Sequence, residues 1–139
     1  MSQPTSPEAS SPGPGADEET LALAHALFDA AREGDTDLLR GYLAAGAPAT
    51  LTNAAGDSLL MLAAYHGHEE AVQLILHHGA DANAANDRGQ TPLAGAVFKG
   101  YTGVARVLLD AGADPDAGTP SAREAATMFA RNEILALLG

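Results

Sequence analysis

The chain has no cysteine and no tryptophan, and its aromatic residues are three Tyr and three Phe. Without cysteine there is no disulfide, no thiolate metal site and no cysteine nucleophile. With so few rings, the core of this 139-residue chain must be filled by Ala and Leu, which suits close approach of helices. No apolar run approaches the roughly 18 to 20 residues that a bilayer crossing needs. The opening MSQPTSPEASSPGPGADEE shows no cationic stretch followed by an apolar one, so a soluble, cytoplasmic protein is the expectation. Positive charge is scarce too, with seven Lys and Arg against eighteen Asp and Glu, a formal net charge of -11. Only Glu8, Asp17, Glu18 and Glu19 of the acidic residues precede Thr20, so the rest of the chain is itself acidic. Such a field disfavours nucleic acid and anionic membranes, and it steers a partner protein that carries a basic patch.

Catalytic signatures are missing as well. There is no phosphate-cradling glycine loop, no nucleophile elbow, no HExxH helix and no dinucleotide fingerprint. No nucleophile is set beside a base, and no paired carboxylates stand out, so neither an enzyme nor a cofactor is expected.

What the chain does have is a period. Gly34, Gly67 and Gly100 are 33 residues apart, as are Gly46, Gly79 and Gly112. Ala30, Ala63 and Ala96 keep the same step, Ala31 and Ala64 are followed by Val97, and Leu43, Leu76 and Leu109 close the set. A repeat of this length is one supersecondary unit that buries its apolar face only by stacking on neighbours. Within a unit the pattern is helical. Leu59 to Tyr65 reads as a first helix and Glu69 to His78 as a second, with Val72, Ile75 and Leu76 on one face. Gly46, Gly79 and Gly112 supply the left-handed residue that ends the second helix. Gly95 and Gly103 fall inside helices of the third unit, each costing about 1 kcal/mol relative to Ala, which marks that unit as the first to open.

The residues themselves carry a family likeness. Ala54 to Ala84 reads AAGDSLLMLAAYHGHEEAVQLILHHGADANA, and Asp87 to Asp116 reads DRGQTPLAGAVFKGYTGVARVLLDAGADPD. With its Thr-Pro-Leu opening, Ala-Ala pair, mid-repeat Gly and terminal Gly-Ala-Asp, this resembles the ankyrin repeat. The likeness extends from about Glu19 to Gly139. It implies an all-α solenoid of about four stacked helix-turn-helix units with projecting hairpin loops, near 20–52, 53–85, 86–118 and 119–139. The last unit has a loop about three residues short. Ser58-Leu59 stands where the pattern has Thr-Pro, and the histidine after Thr-Pro-Leu is replaced by Met61 and Ala94. The Gly79 to Gly89 stretch is expected as one projecting hairpin, with Asp81 and Asp114 stabilising turns.

The resemblance also implies a function, a non-catalytic protein–protein interaction module that binds through its concave groove and hairpin tips as a monomer. Matching by position, the groove-facing pairs are Arg32-Glu33, Tyr65-His66, Phe98-Lys99 and Met128-Phe129, and the hairpin positions are Asp57, Asp87, Arg88 and Gln90. Tyr65 and Phe98 then form an exposed apolar ladder of the kind that marks interfaces. The competing account has Phe98 and Met128 packing against the next helix. Another alternative is a metal- or ligand-responsive factor using His66, His68, His77 and His78, with Glu69 as a further ligand. Adjacent helical residues point about 100° apart, which is poor geometry for joint ligation, so no metal site is assigned. A third version is an acidic inhibitor or protector of a basic partner. Residues 1–16, rich in Ser, Pro and Gly, are expected to be a disordered tail, with Thr5, Ser6 and Ser11 as phosphorylation candidates.

Overall fold

The computed structural model describes residues 18–139, so the expectation for the tail lies outside the described residues. Eight helices follow in sequence: α1 (Glu18–Glu33), α2 (Thr36–Ala44), α3 (Leu59–Tyr65), α4 (Glu69–His77), α5 (Pro92–Lys99), α6 (Thr102–Asp110), α7 (Ala122–Met128) and α8 (Asn132–Leu138). They form four antiparallel pairs in two layers. The inner layer stacks α1 on α3, α3 on α5 and α5 on α7, and the outer layer stacks α2, α4, α6 and α8 in the same order. No strand is present among the described residues beyond an isolated antiparallel bridge between Thr52 and Ser58.

The two layers follow from the two hydrophobic patterns. Inner helices touch a neighbour on each side as well as the outer layer, so nearly every face is covered, and six of the seven residues of α3 are buried. Outer helices bury a stripe, which in α4 is Ala71, Val72 and Ile75, with Leu76 half-buried beside them. Leu27, Leu59, Leu60 and Leu93 lie at the centre, with Ala filling the gaps between helix backbones. The first helix departs from the repeat. It runs for 16 residues, twice the length of α5, so its first two turns extend beyond the level at which α3 and α5 start.

Inner helices start on side-chain caps even where the family pattern is broken. Ser58 Oγ accepts from Met61 N at 3.0 Å, and Thr91 Oγ1 accepts from Ala94 N at 3.1 Å with Pro92 following in the first turn. Ser121 completes a capping box with Glu124. Replacing Thr-Pro by Ser-Leu therefore keeps the cap. The loop tips are tied by Asn86, whose amide donates to Asp57 Oδ1 (2.8 Å) and Gln90 Oε1 (2.9 Å) while its Oδ1 accepts from the backbones of Arg88 and Gln90.

The inner helices end at Gly34, Gly67 and Gly100, with φ of 77°, 79° and 80°. Backbone conformation is one reason for glycine and packing is the other. A Cβ on Gly34 would meet the His68 ring at 2.5 Å, on Gly67 the Tyr101 ring at 2.9 Å, and on Gly100 the Arg131 guanidinium at 3.1 Å. His68 and Tyr101, which follow Gly67 and Gly100, and Arg131 at the same position of the fourth unit thus each lie over the glycine of the preceding unit. His68 Nε2 also donates to Arg32 O (2.7 Å), and Arg131 donates to Val97 O (3.2 Å) and Phe98 O (2.7 Å), so both side chains bond carbonyls at the end of the preceding inner helix.

Two loop expectations are refined. The stretch from Gly79 to Gly89 divides into two turns, one held by Asp81 Oδ1 accepting from Asn83 N (2.9 Å) and one closed by Asn86 N donating to Gln90 O (2.9 Å). Asp114 likewise accepts from Asp116 N at 2.9 Å, the turn role expected of it. In the third unit, Gly95 is buried against Met61 and Tyr65, whereas Gly103 lies beside the exposed Glu69 carboxylate.

Candidate binding groove

The concave side is built from the C-terminal ends of the inner helices and the loop tips beside them. Because the inner helices are terminated at the same place, by Gly34, Gly67, Gly100 and Ala130 in turn, the two residues before that position recur at one level along the stack. At this level the Tyr65 and Phe98 rings are stacked, with centroids 6.5 Å apart and planes 8° from parallel. Phe129 meets Phe98 edge-on at 5.1 Å and 81°. Phe98 is 44% exposed, Phe129 42% and Met128 66%. Tyr65 is half-buried. The rings touch one another, and they remain open to solvent on the concave side.

Below the ladder is a groove of about 390 Å³. Met61, Ala94, Gly95 and Ala125 contribute to its wall from three successive inner helices, and Arg88 and Gln90 line it from a loop tip. The missing side chain of Gly95 makes room for Tyr65 and Met61, since a Cβ there would lie 3.3 and 3.2 Å from them. Lys99 Nζ sits 5.1 Å from the centre of the Tyr65 ring, a cation–π contact, and the His66 ring meets Tyr65 edge-on at 5.6 Å.

Of the residues expected on this face, Tyr65, Arg88, Gln90, Phe98 and Met128 line one groove, with His66 and Lys99 against the Tyr65 ring. Arg32 is elsewhere. It pairs with Asp29 at 2.9 Å and lines a separate concavity of about 680 Å³ between α1 and the Thr52–Ala55 loop, with Leu21, His25 and Phe28. Glu33 is exposed at the end of α1. Asp57 is half-buried and bonded to Asn86, and Asp87 N donates to Ala55 O (3.2 Å), so both join loop to loop outside the groove lining. Met61 and Gly95 escaped sequence reasoning. Their signal was departure from the repeat, a methionine at the usual histidine position and a glycine at the position of Leu62.

The four histidines do not converge. His66 and His68 stack at 6.5 Å with planes 9° from parallel, while His77 and His78 lie at the other end of α4, about 13 Å away along the axis. His66 Nδ1 donates to Leu62 O (2.8 Å) and His68 to Arg32 O, which gives each ring a structural partner. Among the described residues no three or more His, Asp or Glu groups are placed to hold a metal ion. Shifted titration is found at the start of α7 and in the loop before it, outside the groove lining. There the hydrogen bond from Arg123 (2.8 Å) holds the Asp116 carboxyl below its ordinary range and raises the guanidinium in turn. No helix among the described residues is long and apolar enough to cross a membrane.

Comparison with known proteins agrees with this architecture. Residues 27–119 match the family described as ankyrin repeats in three copies. A 62-residue stretch is 52% identical to PA3287 of Pseudomonas aeruginosa, which is named as an ankyrin repeat protein. That match covers 45% of this chain and spans 36% of the relative's length.

Proposed function

The chain belongs to the ankyrin-repeat family, and from that premise we propose that it is a non-catalytic binding module that takes a partner protein into the concave groove. Ankyrin repeats in general mediate binding to other proteins. The observation that carries the reading here is the solvent-open ladder of Tyr65, Phe98 and Phe129 with Met128 beside it, above a groove walled by three units. Aromatic and Met side chains are enriched at interfaces, and rigid rings supply contact area at low ordering cost. Arg88, Gln90, His66 and Lys99 form the polar border, Asp57 and Asp87 extend the surface along the loop tips, and Arg32 and Glu33 extend it at the end of α1. The module acts as a cytoplasmic monomer, and its net charge of -11 draws a partner with a basic patch toward it.

The test is affinity capture with the intact chain beside a Tyr65→Ala/Phe98→Ala double variant, after circular dichroism shows both folded. Loss of the captured partner with the double variant is the expected result. A folded double variant that retains the partner would refute the groove as the interface.

A further inference from the structure

In this strongly acidic chain the residues lining the groove include one charged side chain, and it is a cation, Arg88. A second cation, Lys99, stands at the border over Tyr65. Among the described residues the ion pairs within 4 Å join Arg32 to Asp29, Arg40 to Asp37 and Glu70, and Arg123 to Asp116. Neither Arg88 nor Lys99 takes part. Both are exposed. The Arg88 guanidinium makes a single hydrogen bond among the described residues, to Gln90 Oε1 at 3.2 Å, and that oxygen is itself held by Asn86. This holds the guanidinium at the groove and leaves its other donors available. Lys99 is kept near the ladder by the Tyr65 ring, which offers it no proton acceptor.

Resting on the groove reading above, we propose that the segment seated in this half of the groove is an apolar peptide stretch that carries carboxylates, its apolar side chains against Phe98, Phe129 and Met128 and its carboxylates on Arg88 and Lys99. The net charge of the chain and the charge of the groove act at different ranges. At a Debye length of about 8 Å the acidic field governs the approach of a whole partner, while contacts within the groove are set by the side chains that line it. A guanidinium with free parallel donors is matched by a carboxylate, and two unpaired cations beside an apolar wall disfavour a lysine- or arginine-bearing segment.

A random dodecapeptide display library, selected on the intact chain, tests this directly, with selected peptides then synthesised and titrated by fluorescence anisotropy. Peptides that combine aromatic or aliphatic residues with Asp or Glu are expected. Their affinity should fall about tenfold with Arg88→Glu/Lys99→Glu, less with Arg88→Gln/Lys99→Gln, and more steeply at low salt than at high. Enrichment of Lys- or Arg-bearing peptides, or of peptides indifferent to the charge reversal yet lost with Tyr65→Ala/Phe98→Ala, overturns the carboxylate assignment and leaves the groove intact. Peptides that bind the folded Tyr65→Ala/Phe98→Ala variant unchanged, or no enrichment at all, overturn the groove reading and this inference with it.

Discussion

The junction between the second and third units and the junction between the third and fourth are built at the same positions from different chemistry. In the first, the Tyr101 ring covers Gly67, the Tyr65 and Phe98 rings lie parallel, and the loop tips are tied by Asn86 to Asp57. In the second, the Arg131 guanidinium covers Gly100 and donates to two carbonyls of α5, Phe98 and Phe129 meet edge-on, and the shortened loop is held by Thr119 N donating to Gly89 O (3.1 Å). The mid-repeat glycine is itself replaced in the fourth unit by Ala130, which adopts φ of 53°. The period therefore preserves a slot of given depth and a helix end to be covered. What fills the slot is free to vary between a flat ring and a planar cation.

The largest loss of stability is expected where the slot is filled by a rigid ring. Gly67→Ala places a Cβ against the Tyr101 ring and imposes a left-handed conformation on an L residue, so it should destabilise by about 2 to 3 kcal/mol. Gly100→Ala meets only the end of a flexible guanidinium and should cost about 1 to 2 kcal/mol. Urea denaturation of both resolves the difference, and equal losses would show that backbone strain alone sets the requirement. Arg131→Ala removes two charge-assisted hydrogen bonds and should cost about 1 to 2 kcal/mol. Arg131→Lys should restore only part of this, because an ammonium does not reproduce the fork geometry.

Smaller effects sharpen the contrast in the opposite direction. Ala130→Gly relieves the left-handed alanine and should raise stability by about 0.5 to 1 kcal/mol. Gly103→Ala should gain a similar amount, since the Glu69 side chain that it meets is exposed and can swing aside. Gly95→Ala should gain less or lose, because its neighbours are buried Met61 and half-buried Tyr65. If Gly103→Ala also removes an early-exchanging segment in hydrogen exchange across α5 and α6, the third unit is the first to open. Uniform protection of the second and third units in the parent chain would reject that idea.

The smallest expected effect is at the Asp116–Arg123 pair. Its carboxyl is depressed in the folded state, so its stabilisation is complete above the ordinary value of 3.8 and disappears as pH falls through the depressed one. Asp116→Asn should therefore lose a little stability at neutral pH, and the loss should shrink as pH falls below 3.8, measured as Tm against pH. Both groups are open to solvent, and 1 M salt should erase most of the difference.

Much of the architecture was legible because small residues at fixed spacing report directly on stacked helices. Leu59 to Tyr65 was readable as a helix to the residue, since apolar side chains on every face require neighbours on every face. The turn roles of Asp81 and Asp114 were equally local. The site was legible only in part. Position in the repeat brought Tyr65, Phe98 and Met128 to one level, yet it also placed Arg32 with them, and the long α1 and its Asp29 pairing draw Arg32 into another concavity. Asp57, expected at a hairpin position of the binding face, is bonded to Asn86, a contact across 29 residues that no local pattern signals.

The sequence by itself determined the repeat, the alternation of covered inner and striped outer helices, and the acidity of the chain, because each of these is a property of residue type and spacing. The packing of the units decided which charges are neutralised and which, among the described residues, take part in no ion pair at the groove. It also decided that Gly95 makes room for the aromatic ladder, and that Arg131 and Tyr101 serve the same slot. These depend on distances between units, set by side-chain shape at stacked interfaces, and a one-dimensional period carries no record of them.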